Sequence, residues 1–364
     1  MALFGSAAAP SAAAANPTQG DISKDVQVSA GNGGPSDSIS AVAFSPAADI
    51  LAAASWDGGV YTWQINAQGQ SVAGPALKFD APALACTFMP DGSGVIGAAC
   101  DKTAKRLDLA SSQTVQVAAH DQPIRCAKMA NVNGTPILVT GSWDKTVKYW
   151  DLRASNSNPV GVLNVQDRVY TMDVRDKLLV VGTADRYIDI INLDNPNQFY
   201  KTMQSPLKWQ TRVVSCFTDA SGFAVGSIEG RCAINYVEEK DTSSNFSFKC
   251  HRVTEGNARD VCKVYSVNDI SFHPVHGTFS TAGADGTFHF WDKDAKHRLK
   301  GYPEVGGPIT STAFNSSGSI FAYAVSYDWS KGYAHNNQNI QTKIMLHPVQ
   351  PDECKPRAGG KNKR

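Results

Sequence analysis

The chain has 364 residues, 42% of them hydrophobic and 18% charged, with a formal net charge of +1. That balance suits a packed globule and argues against a protein that coats nucleic acid with its whole surface. No apolar run approaches the roughly 18 residues that a membrane-spanning helix needs.

Residues 1 to about 22 are Ala-rich, lack the basic start of a signal peptide, and read as a disordered leader. Asp25–Ser29, with Val26 and Val28 on one face, reads as a short strand ahead of Ile39–Phe44. Eight cysteines lie at positions 86, 100, 126, 216, 232, 250, 262 and 354 with no C-x-x-C pair, so free thiols of a reducing compartment are expected.

From residue 55 onward a Ser-x-Asp element recurs: Ser55-Trp56-Asp57, Ala99-Cys100-Asp101, Ser142-Trp143-Asp144, Thr183-Ala184-Asp185, Ser227-Ile228-Glu229, Gly283-Ala284-Asp285 and Ser326-Tyr327-Asp328. Six residues after the first six acids stand Trp63, Leu107, Trp150, Ile191, Asn235 and Trp291. The acids are separated by 44, 43, 41, 44, 56 and 43 residues. A period near 40–45 residues with four strands per unit predicts a single all-β domain over 23–350, a seven-bladed WD-repeat β-propeller.

The third copy, Gly141–Arg153, shows the grammar most fully. A strand ends at Ser142, a tight turn runs through Asp144 and Lys145, and a strand resumes over Thr146–Leu152. Asp suits the turn because its carboxylate accepts local N–H groups. His120 falls where it can join Ser142, Asp144 and Trp150 in a buried polar network that satisfies each member. The other copies lack a histidine in that place. After Asp328 one clear strand remains, Ile340–Leu346, so the seventh blade is one strand short; Asp25–Ser29 is expected to complete it and close the ring.

Two departures from the period stand out: about a dozen extra residues near Arg252–Tyr265, and the long turn Asp328–Asn339. In a propeller both connections open onto one face, where repeat folds commonly carry their binding surface. Trp56, Trp143, Trp209 and Trp329 fall on that face with the cations Lys145, Arg168 and Arg231. Each Trp alone reads as the cap of its own blade; four together read as a partner-binding surface.

A second cluster is basic. Lys293, Lys296 and Arg298 of the sixth copy lie near Phe248, Lys249 and Trp291 in the expected fold, an arrangement that either stays solvated or holds phosphates and stacks a base of single-stranded RNA. Residues 351–364 form a basic tail, a nuclear or RNA contact or simply solvated chain. No G-x-S-x-G, H-E-x-x-H, P-loop or dinucleotide-binding glycine motif is present, and the Asp residues are accounted for by turns. His273-Pro-Val-His276 offers two metal ligands without a paired cluster. The expectation is therefore no catalysis, cofactor, metal or small-molecule substrate, and no membrane.

With these stretches in hand, the chain resembles the RNA-export propellers of the nuclear pore, the Rae/Gle class. The resemblance is carried by Gly141–Arg153, Ser205–Arg212, Gly226–Arg231, Phe248–Arg252, Val267–Asp292 and Ser326–Gly332, and spans about residue 22 to the end. It implies binding to a GLEBS segment of an FG-repeat nucleoporin, nuclear pore residence with shuttling to the cytoplasm, a role in messenger-RNA export, and contacts with RNA and the spindle. The mitotic-checkpoint propellers share the Phe248–Arg252 and Ser227–Arg231 elements and bind GLEBS-type segments of kinetochore proteins, which is the alternative. Asp328–Gly332 and the Cys354–Arg357 tail look more like the export class. Leu107 departs from the usual pattern, where the second repeat has lost its Trp.

Overall fold

In each blade the second strand is an apolar run covered on both faces, as in Gly94–Ala99, Leu178–Thr183 and Gly222–Ser227, all fully buried. Such strands need sheets on either side, and radial packing of blades supplies them. The computed structural model describes residues 18–29, 31, 33–154, 158–254, 261–337 and 340–356, and its sheets form the predicted seven-bladed ring. Blades one to six begin at Ile39, Ala83, Ile124, Val169, Thr211 and Val267, each an antiparallel meander. Side chains of adjacent blades form the core: Val139 and Tyr149 of blade three, for example, pack with Val169 and Leu179 of blade four.

Blade seven combines Ile309–Phe314, Ile320–Val325 and Lys343–Pro348 with the N-terminal Val26–Gln27. Val26 lies opposite Leu346 and Gln27 opposite Met345, so the two ends of the chain close the ring. The pairing is shorter than expected, and the C-terminal strand starts at Lys343 rather than Ile340. Val28, 5% exposed, packs with Ile344 and Leu346, whereas Val26 is 37% exposed. Burial of Val28 contributes about 2 kcal/mol to the closure.

Asp25 is buried beside the seam. Its carboxylate accepts the Tyr323 hydroxyl proton at 2.7 Å and binds His347 Nδ1 at 2.6 Å, while His347 Nε2 meets Glu353 at 3.2 Å. Both ends of the fold therefore run further than composition suggests. Gly20 donates to the Gly301 carbonyl, Gly301 to that of Thr18, and the turn Pro351–Cys354 buries Glu353 and Cys354. Residues 1–17 of the expected leader and 357–364 of the expected tail lie outside the described residues.

Every turn between second and third strands places the residue after its acid at positive φ. Gly58, Gly230 and Gly286 adopt it freely, and Lys102, Lys145 and Arg186 adopt it at +70°, +66° and +62°. In blade seven the residue is Trp329, at +61°. The acids act as expected: Asp57, Asp144 and Asp285 accept the N–H two residues on, at 2.8, 3.0 and 3.2 Å. Each innermost strand also carries a bulge at its second residue, skipping Ser40, Leu84, Arg125, Tyr170, Arg212, Asn268 and Thr310 in the ladders.

The buried polar network of blade three differs from expectation in one member. His120 Nδ1 binds Asp144 at 2.8 Å, but its Nε2 binds Thr140 at 2.7 Å, and Thr140 also accepts the Trp150 indole proton at 2.8 Å. Ser142 instead donates to the Gln122 carbonyl and accepts the Asp144 N–H, tying the turn to the incoming loop. Indole only donates and carboxylate only accepts, so the protons run Trp150 to Thr140 to His120 to Asp144. Burial keeps His120 neutral despite Asp144, as this order requires.

A second complete network sits in blade six, contrary to the expectation that other copies lack one. His251 bridges Asp285 at 2.9 Å and Thr281 at 3.0 Å, and Trp291 donates to Thr281 at 2.9 Å. His251 escaped notice because it lies 34 residues before its acid, beyond the insertion, where His120 precedes Asp144 by 24.

Candidate functional site

Blade-to-blade loops and second-turn residues meet on one face, here the upper face. Ser36 N–H donates to Asp57, Asp121 N–H to Asp144, and Val165 N–H to the Lys145 carbonyl. Both insertions open there. Arg252–Thr254 and Cys262–Val264 pair as a two-stranded ribbon, and the blade-seven turn carries a 3₁₀ turn at Tyr333–His335.

Of the four tryptophans, the structure brings two together. Trp56 of blade one and Trp329 of blade seven stack with centroids 4.2 Å apart and planes 25° from parallel. Tyr327 lies 5.5 Å from Trp329, its hydroxyl donating to the Gly332 carbonyl. A bulky residue at positive φ is strained, and such strain persists where neighbours fix it and clusters at binding sites. Stack and loop hold Trp329 half-buried with its indole N–H lacking a partner. Tyr327 was legible: it occupies the middle of Ser-x-Asp, as Trp56 and Trp143 do.

The other two stand apart from this pair. Trp143 is half-buried on the blade-three turn, its indole N–H also without a partner. Trp209 is 59% exposed and borders a hollow of about 500 Å³ with Arg168, Tyr170, Arg186 and Lys208. Lys145 and Arg168 converge on Asp167 at 3.2 and 3.9 Å. The Arg168 N–H first, then Lys145 against slight burial, hold that carboxyl below its usual range. Arg231 approaches Glu229 at 3.7 Å, and Arg252, missing from the sequence-based set, donates to the Glu229 carbonyl at 2.6 Å. The upper face thus carries an aromatic pair at blades seven and one and a basic arc over blades three to five.

The basic cluster beside blade five is only partly available. Phe248 packs 4.5 Å from Trp291, and Trp291 is committed to Thr281. Lys293 is 8% exposed: its Nζ binds Asp294 at 2.7 Å and lies 5.0 Å from the Phe217 ring centroid. Lys249, Lys296 and Arg298 are exposed, with Lys296 Nζ 4.9 Å above Phe246. Among the described residues no group of three or more His, Cys, Asp or Glu could hold a metal.

The WD domain, G-beta repeat family matches residues 27–64, 111–151 and 248–292. These segments are the units that keep Trp63, Trp150 and Trp291 at the repeat position. Over 350 residues the chain is 61% identical to the mRNA export factor GLE2 of Chaetomium thermophilum, covering 95% of this chain and 96% of that protein. The chain belongs to the Gle2/Rae1 family of mRNA export factors. Within that family it is also 52% identical to the poly(A)+ RNA export protein of Schizosaccharomyces pombe, over 98% and 99% of the two chains, and 46% identical to protein Rae1 of Drosophila melanogaster, over 89% and 94%.

Proposed function

We propose that this protein is a non-enzymatic adaptor of the nuclear pore, binding a GLEBS segment of an FG-repeat nucleoporin across its upper face and linking it to messenger-RNA export. The observation that carries the docking surface is the Trp56–Trp329 stack. It is a preformed aromatic platform, strained at Trp329, beside two insertions, and large aromatic anchors dominate interface energetics. Trp143 and Trp209 extend the surface, and Lys145, Arg168 and Arg231 meet acidic residues of the segment. The export role rests on family membership, and nuclear localisation with shuttling to the cytoplasm is part of the same proposal. Binding of a GLEBS peptide to the parent protein and to the Trp56→Ala/Trp329→Ala variant tests the reading. The expected result is at least about tenfold weaker binding with faster dissociation. Equal affinities place the peptide elsewhere.

A single-stranded RNA contact at the edge of blades five and six is the second element of the proposal. Lys296 over Phe246 supports it, with Lys249, Arg298 and the edge of Phe248 completing the surface. Lys293 and Trp291 support that surface from within.

A further inference from the structure

The central channel is a cavity of about 600 Å³ walled by the innermost strands of all seven blades. The residues skipped by the seven bulges all line it. Two of them are arginines, and both serve the upper mouth. Arg125 of blade three donates from Nη1 to the Leu84 carbonyl of blade two at 3.1 Å. Arg212 of blade five reaches past blade six to the Asp328 carbonyl of blade seven, 3.5 Å away, so its side chain crosses the mouth.

Deeper in the channel, cation and acid are matched. Lys128 pairs with Asp173 at 3.0 Å, and Asp269 is occupied by the Ser311 hydroxyl at 3.0 Å and the Thr312 N–H at 2.6 Å. At the mouth they are not: among the described residues neither arginine has a carboxylate within ion-pair distance. Arg212 is open to the lumen yet enclosed by protein, and that enclosure, then the charge of Arg125, disfavours its cation more than Asp328 and Asp269 favour it. Asn268, another of the skipped residues, is 7% exposed, lines the same cavity and leaves its side-chain oxygen without a partner.

Cations that share a confined space, without an ion-pair partner and only partly offset by carboxylates further off, are unfavourable without an added anion. We propose that the mouth of the central channel binds a small free phosphate compound, with Arg125 and Arg212 as a two-armed clamp on its oxygens. Guanidinium forks match phosphate geometry, the cavity has the volume of a small-molecule site, and no strand passage is needed for a ligand of this size. The site depends on the channel alone and is independent of the peptide-docking reading.

Titration with inorganic pyrophosphate at fixed ionic strength, by calorimetry and by thermal melting, tests this. The parent should bind pyrophosphate and gain melting temperature. Arg125→Gln/Arg212→Gln should bind at least about tenfold more weakly, while its ligand-free melting temperature at low salt should equal or exceed that of the parent, because a repulsive pair has been removed. Retained affinity in this variant overturns the proposal. So does absence of binding to the parent, or an equal loss in Lys145→Gln/Arg168→Gln on the open upper face. Tighter binding of oligouridylate than of pyrophosphate, lost in the same double variant, would reassign the clamp to RNA phosphates and likewise overturn it.

Discussion

A tryptophan in the left-handed region costs on the order of 1 kcal/mol, and stacking on a second indole returns a comparable amount. Trp329 is thus held in a set position before any partner arrives. Replacing it by Ala should cost about 2 kcal/mol of peptide binding, chiefly through dissociation, with a small loss of melting temperature because the stack also ties blade one to blade seven. Trp209→Ala separates anchor from scaffold: at 59% exposure the ring supports little of the fold, so a changed dissociation rate with an unchanged melt is expected. Arg168→Glu and Arg231→Glu should slow association and reduce its salt sensitivity instead. At the basic edge, Lys296→Glu/Arg298→Glu should weaken RNA binding and flatten its salt dependence; unchanged affinity and slope would remove that site. Inside blade six, Thr281→Val leaves His251 and Trp291 without their shared oxygen. A loss of about 1–3 kcal/mol in unfolding free energy is expected, and an unchanged denaturation midpoint would contradict the network.

The deciding element is the N-terminal strand. Without Asp25–Ser29, blade seven exposes the free edge of Lys343–Pro348, loses the Val28 packing and leaves Tyr323 and His347 without their carboxylate. Deleting residues 1–30 should therefore lower the melting temperature markedly and reduce solubility. Deleting 1–20 leaves Asp25–Ser29 in place, removes the pairing of Thr18 and Gly20 with Gly301, and should produce a smaller decrease. Equal melts for the parent and the longer deletion would refute the closure.

At the scale of the whole molecule, a buried titratable cluster joins the N-terminal strand to the C-terminal turn. Burial works against the His347 cation, but hydrogen bonds to Asp25 and Glu353 outweigh it and raise its pKa from 6.5 to about 9. The folded state therefore holds this proton more tightly than the unfolded chain. Its contribution is fully present below pH 6.5 and is lost as pH rises through 9. Melting temperature should fall between those limits, and His347→Gln should flatten the profile over that window. A parent profile as flat as that of the variant would show that the clasp does not hold a proton.

What the sequence determined by itself is what is local and repeated. The period of the acids, the alternation of the strands and the missing last strand specify seven blades and the N-terminal closure, because turn chemistry and side-chain alternation act over a few residues and recur. The same logic placed Trp56, Trp143, Trp209 and Trp329 on one face. Only the tertiary structure decided which of them touch, since Trp56 and Trp329 lie 273 residues apart and meet through ring closure. It also chose Thr140 over Ser142, because Ser142, two residues nearer the turn on the same strand face, is taken up by the Gln122 carbonyl and the Asp144 N–H, and it supplied His251 from beyond an insertion that breaks the spacing. Lys293 shows the converse. Its charge reads as a surface feature, yet the rings of Phe217 and Tyr236 in the neighbouring blade cover it. The reach of Arg212 to the Asp328 carbonyl across the channel mouth and the pairing of Asp25 with His347 at the seam belong to the same class. These contacts join distant parts of the chain, and only the closed ring brings them together.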